Sequence, residues 1–91
     1  MADILFPGCT TLKDRRGHLR SMIARLRNAG FSAAQTGPAD IPGRAWIAAA
    51  CACSSESAAG RLLEEAGRIL DDPSWTLSSV KSRLFVFDPE G

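Results

Sequence analysis

The chain has 91 residues, 45% of them hydrophobic and 23% charged, with a formal net charge of +1. That length supports one hydrophobic core and a single domain over residues 1–91, and the composition excludes a disordered or low-complexity chain. The balanced charge excludes a bulk polycation, so attraction to nucleic acid must come from charge segregated within the fold.

Ile4-Leu5-Phe6 is a short apolar run stopped by Pro7-Gly8, which predicts a strand and then a turn. Thr11 is placed to cap a helix, since its hydroxyl accepts from backbone amides that lack intrahelical partners, while Asp14 complements the positive helix start. Leu12, Leu19, Met22, Ile23 and Leu26 recur at helical spacing and form one apolar stripe. Asn28-Ala29-Gly30 ends this helix, with Gly30 suited to the left-handed position that follows it.

Phe31 to Thr36 reads as a second strand, and the segment from Gly37 to Gly43, with two prolines and two glycines, as a loop. Ala45 to Cys53 is almost wholly apolar and alanine-rich, so periodicity alone fits a strand or a buried helix. Pro42-Gly43 before it and Ser54, a new helix cap, after it favour the strand. From Ser55 to Asp71 the pattern is helical: Ala58, Leu62, Ala66 and Ile69 line one face, and Ala59, Leu63 and Leu70 widen it. Glu64 and Arg68 are spaced for an i,i+4 ion pair, Gly60 and Gly67 would permit close packing, and Pro73 forbids continuation. Val80 to Phe87 closes the chain as the fourth strand. The order strand, helix, strand, strand, helix, strand predicts a ferredoxin-like α+β sandwich, a four-stranded antiparallel sheet with two helices on one face.

No apolar run is long enough to span a membrane, Met1 to Phe6 is too short for a signal peptide, and three cysteines match no disulfide framework. The expected location is the cytoplasm, away from membranes.

Two segments of the first helix carry a resemblance. Thr11-Leu12-Lys13-Asp14-Arg15-Arg16 followed by Arg25-Leu26-Arg27-Asn28 resembles the Ser-Leu-Lys-Asp/Glu-Lys-Arg … Arg-Leu-Arg-Asn signature of the YlxP-like family of small bacterial proteins. Pro7-Gly8 fits that pattern, as does Gly43-Arg44-Ala45, where the family carries Gln-Arg-Ala. The similarity runs from about Pro7 to Phe87. It implies a ferredoxin-like fold without a known cofactor, in a family of unassigned function whose genes in some bacteria neighbour transcription and translation-initiation factors. The chain departs from the family in a short first strand, in Gly17-His18, and in Trp46 at a usually smaller position.

Lys13, Arg16, Arg20 and Arg27 fall in one stripe beside the apolar face of the first helix, with Arg25 on the opposite side. Such a row suits a phosphate backbone, and its competing reading is a solvated face that keeps the chain in solution. Arg15 projects near the apolar face, where it would snorkel or meet a carboxylate. A base-stacking RNA platform is not expected, because the central strands offer only Phe6 and Trp46 and the chain has no tyrosine.

Alternation makes both sides of the Ala45–Cys53 strand apolar, and Leu84 and Val86 oppose Phe85 and Phe87. An outer sheet face of this kind predicts a cover, with self-association through Trp46, Phe85 and Phe87 as the economical form. Cys51-Ala52-Cys53, Cys9 and His18 lack the loop spacing of structural zinc sites, so the cysteines are expected to be buried as small hydrophobes, with no metal. His18 is the only histidine and has no nucleophile assigned to it, so no catalytic residue is identified. The expectation is a non-enzymatic binding protein without cofactor or identifiable small-molecule ligand. Its leading partner is RNA or the ribosome through the basic helix, and the alternative is a homodimeric interaction module using the apolar sheet face.

Overall fold

The computed structural model describes residues 1–6, 12–38 and 40–85. The elements run β1 (Ala2–Leu5), α1 (Leu12–Asn28), β2 (Ser32–Thr36), β3 (Arg44–Ala50), α2 (Glu56–Leu70) and β4 (Thr76–Val80). The sheet order is β2-β3-β1-β4 with every neighbouring pair antiparallel. Two split β-α-β units joined in this way form the expected ferredoxin-like α+β sandwich.

Alternation along the two central strands builds the core. Ala2, Ile4 and Phe6 of the first strand segment and Ala45 and Ile47 of β3 are buried, and Leu19, Met22 and Leu26 of α1 descend onto them. Phe31, Ile69, Leu70 and Trp75 complete the cluster.

The helix ends explain the chain's direction changes. Phe31 N–H donates to the Leu26 carbonyl at 3.0 Å and Gly30 N–H to that of Arg27 at 3.0 Å, the paired bonds of a Schellman motif. Gly30 takes the left-handed backbone this needs, with φ 107°. Phe31 and Leu26 are both buried, so the stop also seats the following strand on the core. The proposed Thr11 cap lies outside the described residues.

At α2 the cap is Ser55 rather than Ser54: its Oγ accepts from the Ala58 amide at 3.1 Å. At the other end Asp72 Oδ1 accepts from the Ser74 amide at 2.8 Å, and the Asp72 carbonyl from the Trp75 amide at 3.2 Å. Pro73 fits this turn because its φ is already fixed. Trp75 then folds back, and its Nε1 donates to the Leu70 carbonyl at 2.8 Å.

Four expectations change in detail. β3 ends at Ala50, so Cys51, Ala52 and Cys53 lie beyond the strand. The last strand is Thr76–Val80 rather than Val80–Phe87; Lys81 to Phe85 carry no regular structure, and Val86 and Phe87 lie outside the described residues. Arg68 pairs with Glu65 at 2.6 Å instead of Glu64. Gly60 and Gly67 are exposed and a Cβ on either would meet nothing within 4 Å, so neither serves close packing.

β4 joins β1 through a register shift. Asp3 pairs with Ser79 but Ile4 with Leu77, which leaves Ser78 without a partner. This bulge puts Leu77 beside Ile4 and Val80 beside Ala2 on the core face, although the two lie three residues apart.

Candidate functional site

Residues of α1 that point away from the core carry most of its charge. Lys13, Arg16 and Arg20 are exposed, and among the described residues none has a carboxylate within ion-pair distance. Arg16 and Arg20 flank a shallow groove of about 230 Å³ between α1 and the β2 edge, floored by Leu12, Leu19, Ile23 and Gln35. Arg27 also lies on this side, but its Nη2 donates to the Ala33 carbonyl of β2 at 3.1 Å. Three members of the predicted stripe therefore point to solvent, while the fourth is tied to an edge strand.

The other arginines have structural partners. Arg25 Nη1 donates to Asp72 Oδ2 at 2.9 Å, and its guanidinium stands 6.0 Å from the Trp75 ring centre. Arg44 bonds both oxygens of Asp3, Nε to Oδ1 at 2.8 Å and Nη2 to Oδ2. That hydrogen bond holds the Asp3 carboxyl below its usual range and raises Arg44. Asp72 is lowered as well, first by the Ser74 amide and then by Arg25. Arg15 is buried and donates to the Arg44 carbonyl at 3.0 Å, so it braces the start of β3.

The outer face of the sheet is less apolar than β3 alone implies. Register places Asp3, Leu5, Arg44, Trp46, Ala48, Thr76 and Ser79 on it, so acid, base and hydroxyl groups interrupt the alanines. Trp46 is half-buried, with Gly37 against one part of its ring and the Arg44 guanidinium 4.9 Å from its centre. Phe85 is 83% exposed and lies beyond β4, and Phe87 lies outside the described residues. Phe6 faces the helices and is 1% exposed, so Trp46 is the one aromatic on the outer face of the described strands.

His18 belongs to an aromatic cluster. Its ring stacks on Phe6 at 5.6 Å and meets the edge of Trp75 at 6.3 Å. Cys51 and Cys53 are both exposed, which corrects the expectation that they are buried hydrophobes; Cys9 lies outside the described residues. The chain passes to solvent there because β3 has already ended.

Sequence reasoning also missed a cleft of about 860 Å³ between α2 and the sheet. Ala2, Ile47, Ala59, Leu63, Ala66 and Leu70 line its apolar wall, and small side chains on both sides leave the space unfilled. The alanine richness of β3 and α2 was the available signal. Among the described residues no helix is long and apolar enough to cross a membrane.

No curated protein and no solved structure matches the chain. A family model does match, over residues 1–81, and it covers every described element of the sandwich. The chain belongs to the family described as proteins of unknown function, DUF503.

Proposed function

We propose that this protein binds single-stranded RNA, free or within the ribosome, without sequence preference and through the exposed basic face of α1. One observation carries the reading. Arg25, Arg44 and Arg68 each face a carboxylate, whereas Lys13, Arg16 and Arg20 stand together without one among the described residues. Three cations on one helix face can replace the counterions of a phosphate backbone. The resemblance to the YlxP-like family is compatible with DUF503 membership, and the gene context it implies supports the same partner. Among the described residues no base-reading surface accompanies these cations, so the affinity expected is weak and sequence-independent.

The interaction-module alternative draws less support. Of its residues, the two described do not share a face: Trp46 lies under Arg44 on the sheet, and Phe85 has left the sheet altogether.

The test is binding of a labelled oligouridylate to the full chain across a salt series. The expected logarithmic slope is about −2, from roughly 0.7 per phosphate contact on a single strand. Joint replacement of Lys13, Arg16 and Arg20 by glutamine should abolish binding and leave the circular dichroism unchanged. Binding that persists in that variant, or that ignores salt, overturns the reading.

A further inference from the structure

We propose that Cys51 and Cys53 form a two-thiolate site for a soft d10 metal ion, of the Zn(II) or Cu(I) kind. The two Sγ atoms stand 3.8 Å apart and both residues are exposed. Two sulfurs bound at about 2.3 Å to one tetrahedral centre are separated by about 3.8 Å, so the pair already has the bite of a chelate. Position explains the geometry. Ala50 is the last residue of β3 paired with β2, and just beyond it residues 51 and 53 bring their sulfurs to the same side. α2 begins soon after, capped by Ser55, and anchors the far end of the segment.

Packing does not account for these thiols. A free cysteine is ordinarily retained as a small buried hydrophobe, and neither residue is buried. Binding breaks two S–H bonds, forms two S–metal bonds and releases two protons, with no change of oxidation state. Thiolate ligands select soft ions over the oxygen-seeking Mg(II) and Ca(II).

Among the described residues no third histidine, cysteine or carboxylate joins the pair. His18 stacks on Phe6, whose amide meets the Gly43 carbonyl at the opposite end of β3, roughly 25 Å away at the rise of a strand. The described residues thus leave the remaining positions on the ion to a small external thiol, to water, or to the same pair on a second copy.

The experiment uses the full chain, reduced and kept under nitrogen. Zn(II) is titrated in competition with a chromophoric zinc chelator, and Cu(I) in competition with a cuprous chelator. Cys51→Ser and Cys53→Ser should each weaken binding of at least one ion by more than about tenfold, since loss of an outer-sphere partner alone can cost that much. Cys9→Ser should bind as the parent does, and all three should keep the parent circular dichroism. One Cu(I) per chain would assign the ion to a single pair, and one Zn(II) per two chains to two pairs; either supports the proposal. It is overturned if the parent binds neither ion, if Cys51→Ser and Cys53→Ser bind both as tightly as the parent, or if Cys9→Ser loses as much as they do.

Discussion

Arg25 and Asp72 meet at 2.9 Å, and this contact ties the last turns of α1 to the turn that follows α2. Asp72 also accepts the Ser74 amide, so one carboxylate orders the turn and receives the helix. Trp75, two residues beyond the turn's proline, is thereby set under Arg25 and against His18 and Phe6.

Acid should loosen this arrangement before it unfolds the core. Asp3 and Asp72 are both depressed in the folded state, and each owes this first to hydrogen bonds that its ionised form accepts more strongly. A depressed folded pKa contributes stability above the unfolded value, near 3.8, and that contribution is lost as pH falls from there through the native values. A thermal midpoint measured from pH 7 to 2 should fall below about pH 4. Asp72→Asn and Asp3→Asn should each lower the midpoint at neutral pH and flatten the acid limb.

Trp75 allows packing to be separated from hydrogen bonding. It is 6% exposed and its indole satisfies the Leu70 carbonyl at the end of α2. Trp75→Phe keeps most of the apolar contact but leaves that carbonyl without its donor, at a cost of about 1–2 kcal/mol. Trp75→Ala also opens a cavity and should cost about 3–5 kcal/mol. Urea unfolding with an unchanged slope would report both values directly.

Two glycine substitutions should shift stability in opposite directions. Gly37 has φ +68°, and a Cβ there would stand 3.3 Å from the Trp46 ring carbons. Gly37→Ala should therefore destabilise by about 1–2 kcal/mol. Gly67 lies in α2 with open space around its missing Cβ. Gly67→Ala should stabilise by up to about 1 kcal/mol, a rise of roughly 4–8 °C in the melting midpoint for a domain of this size.

Within the basic stripe, the four residues should behave unequally. Single glutamine replacements of Lys13, Arg16 or Arg20 should each reduce the salt slope of RNA binding by about 0.7. Arg27→Gln should reduce it less and lower stability more, because Arg27 already serves the Ala33 carbonyl. Paired salt titrations and urea curves would separate the two effects.

The sequence displays the sandwich and hides its last strand for the same physical reason. Patterns are legible where one face of an element is buried, as in α1, where Leu19, Met22 and Leu26 lie at helical spacing and are all buried. β4 is exposed at every position, and Thr-Leu-Ser-Ser-Val lacks the alternation of a half-buried strand. Leu84-Phe85 is the more apolar segment and yet pairs with no strand, because hydrophobicity there does not mark pairing. The basic stripe was legible as spacing, but the diversion of Arg27 to Ala33 needs β2 in place beside the helix. The exposed thiol pair depends on where β3 stops pairing, and the small apolar residues from Ala48 to Cys53 keep the same character on both sides of that point.

The unpartnered Ser78 bears on what another molecule can do at this edge of the sheet. β2 and β4 are the outermost strands, and each would otherwise offer a ready template for sheet growth. Arg27 occupies a carbonyl of one. On the other, the extra residue sharpens the local twist, so a straight incoming strand cannot stay in step with the whole of Thr76–Val80. Two edge strands that carry no charged residue of their own are thus blunted by one arginine side chain and one surplus serine.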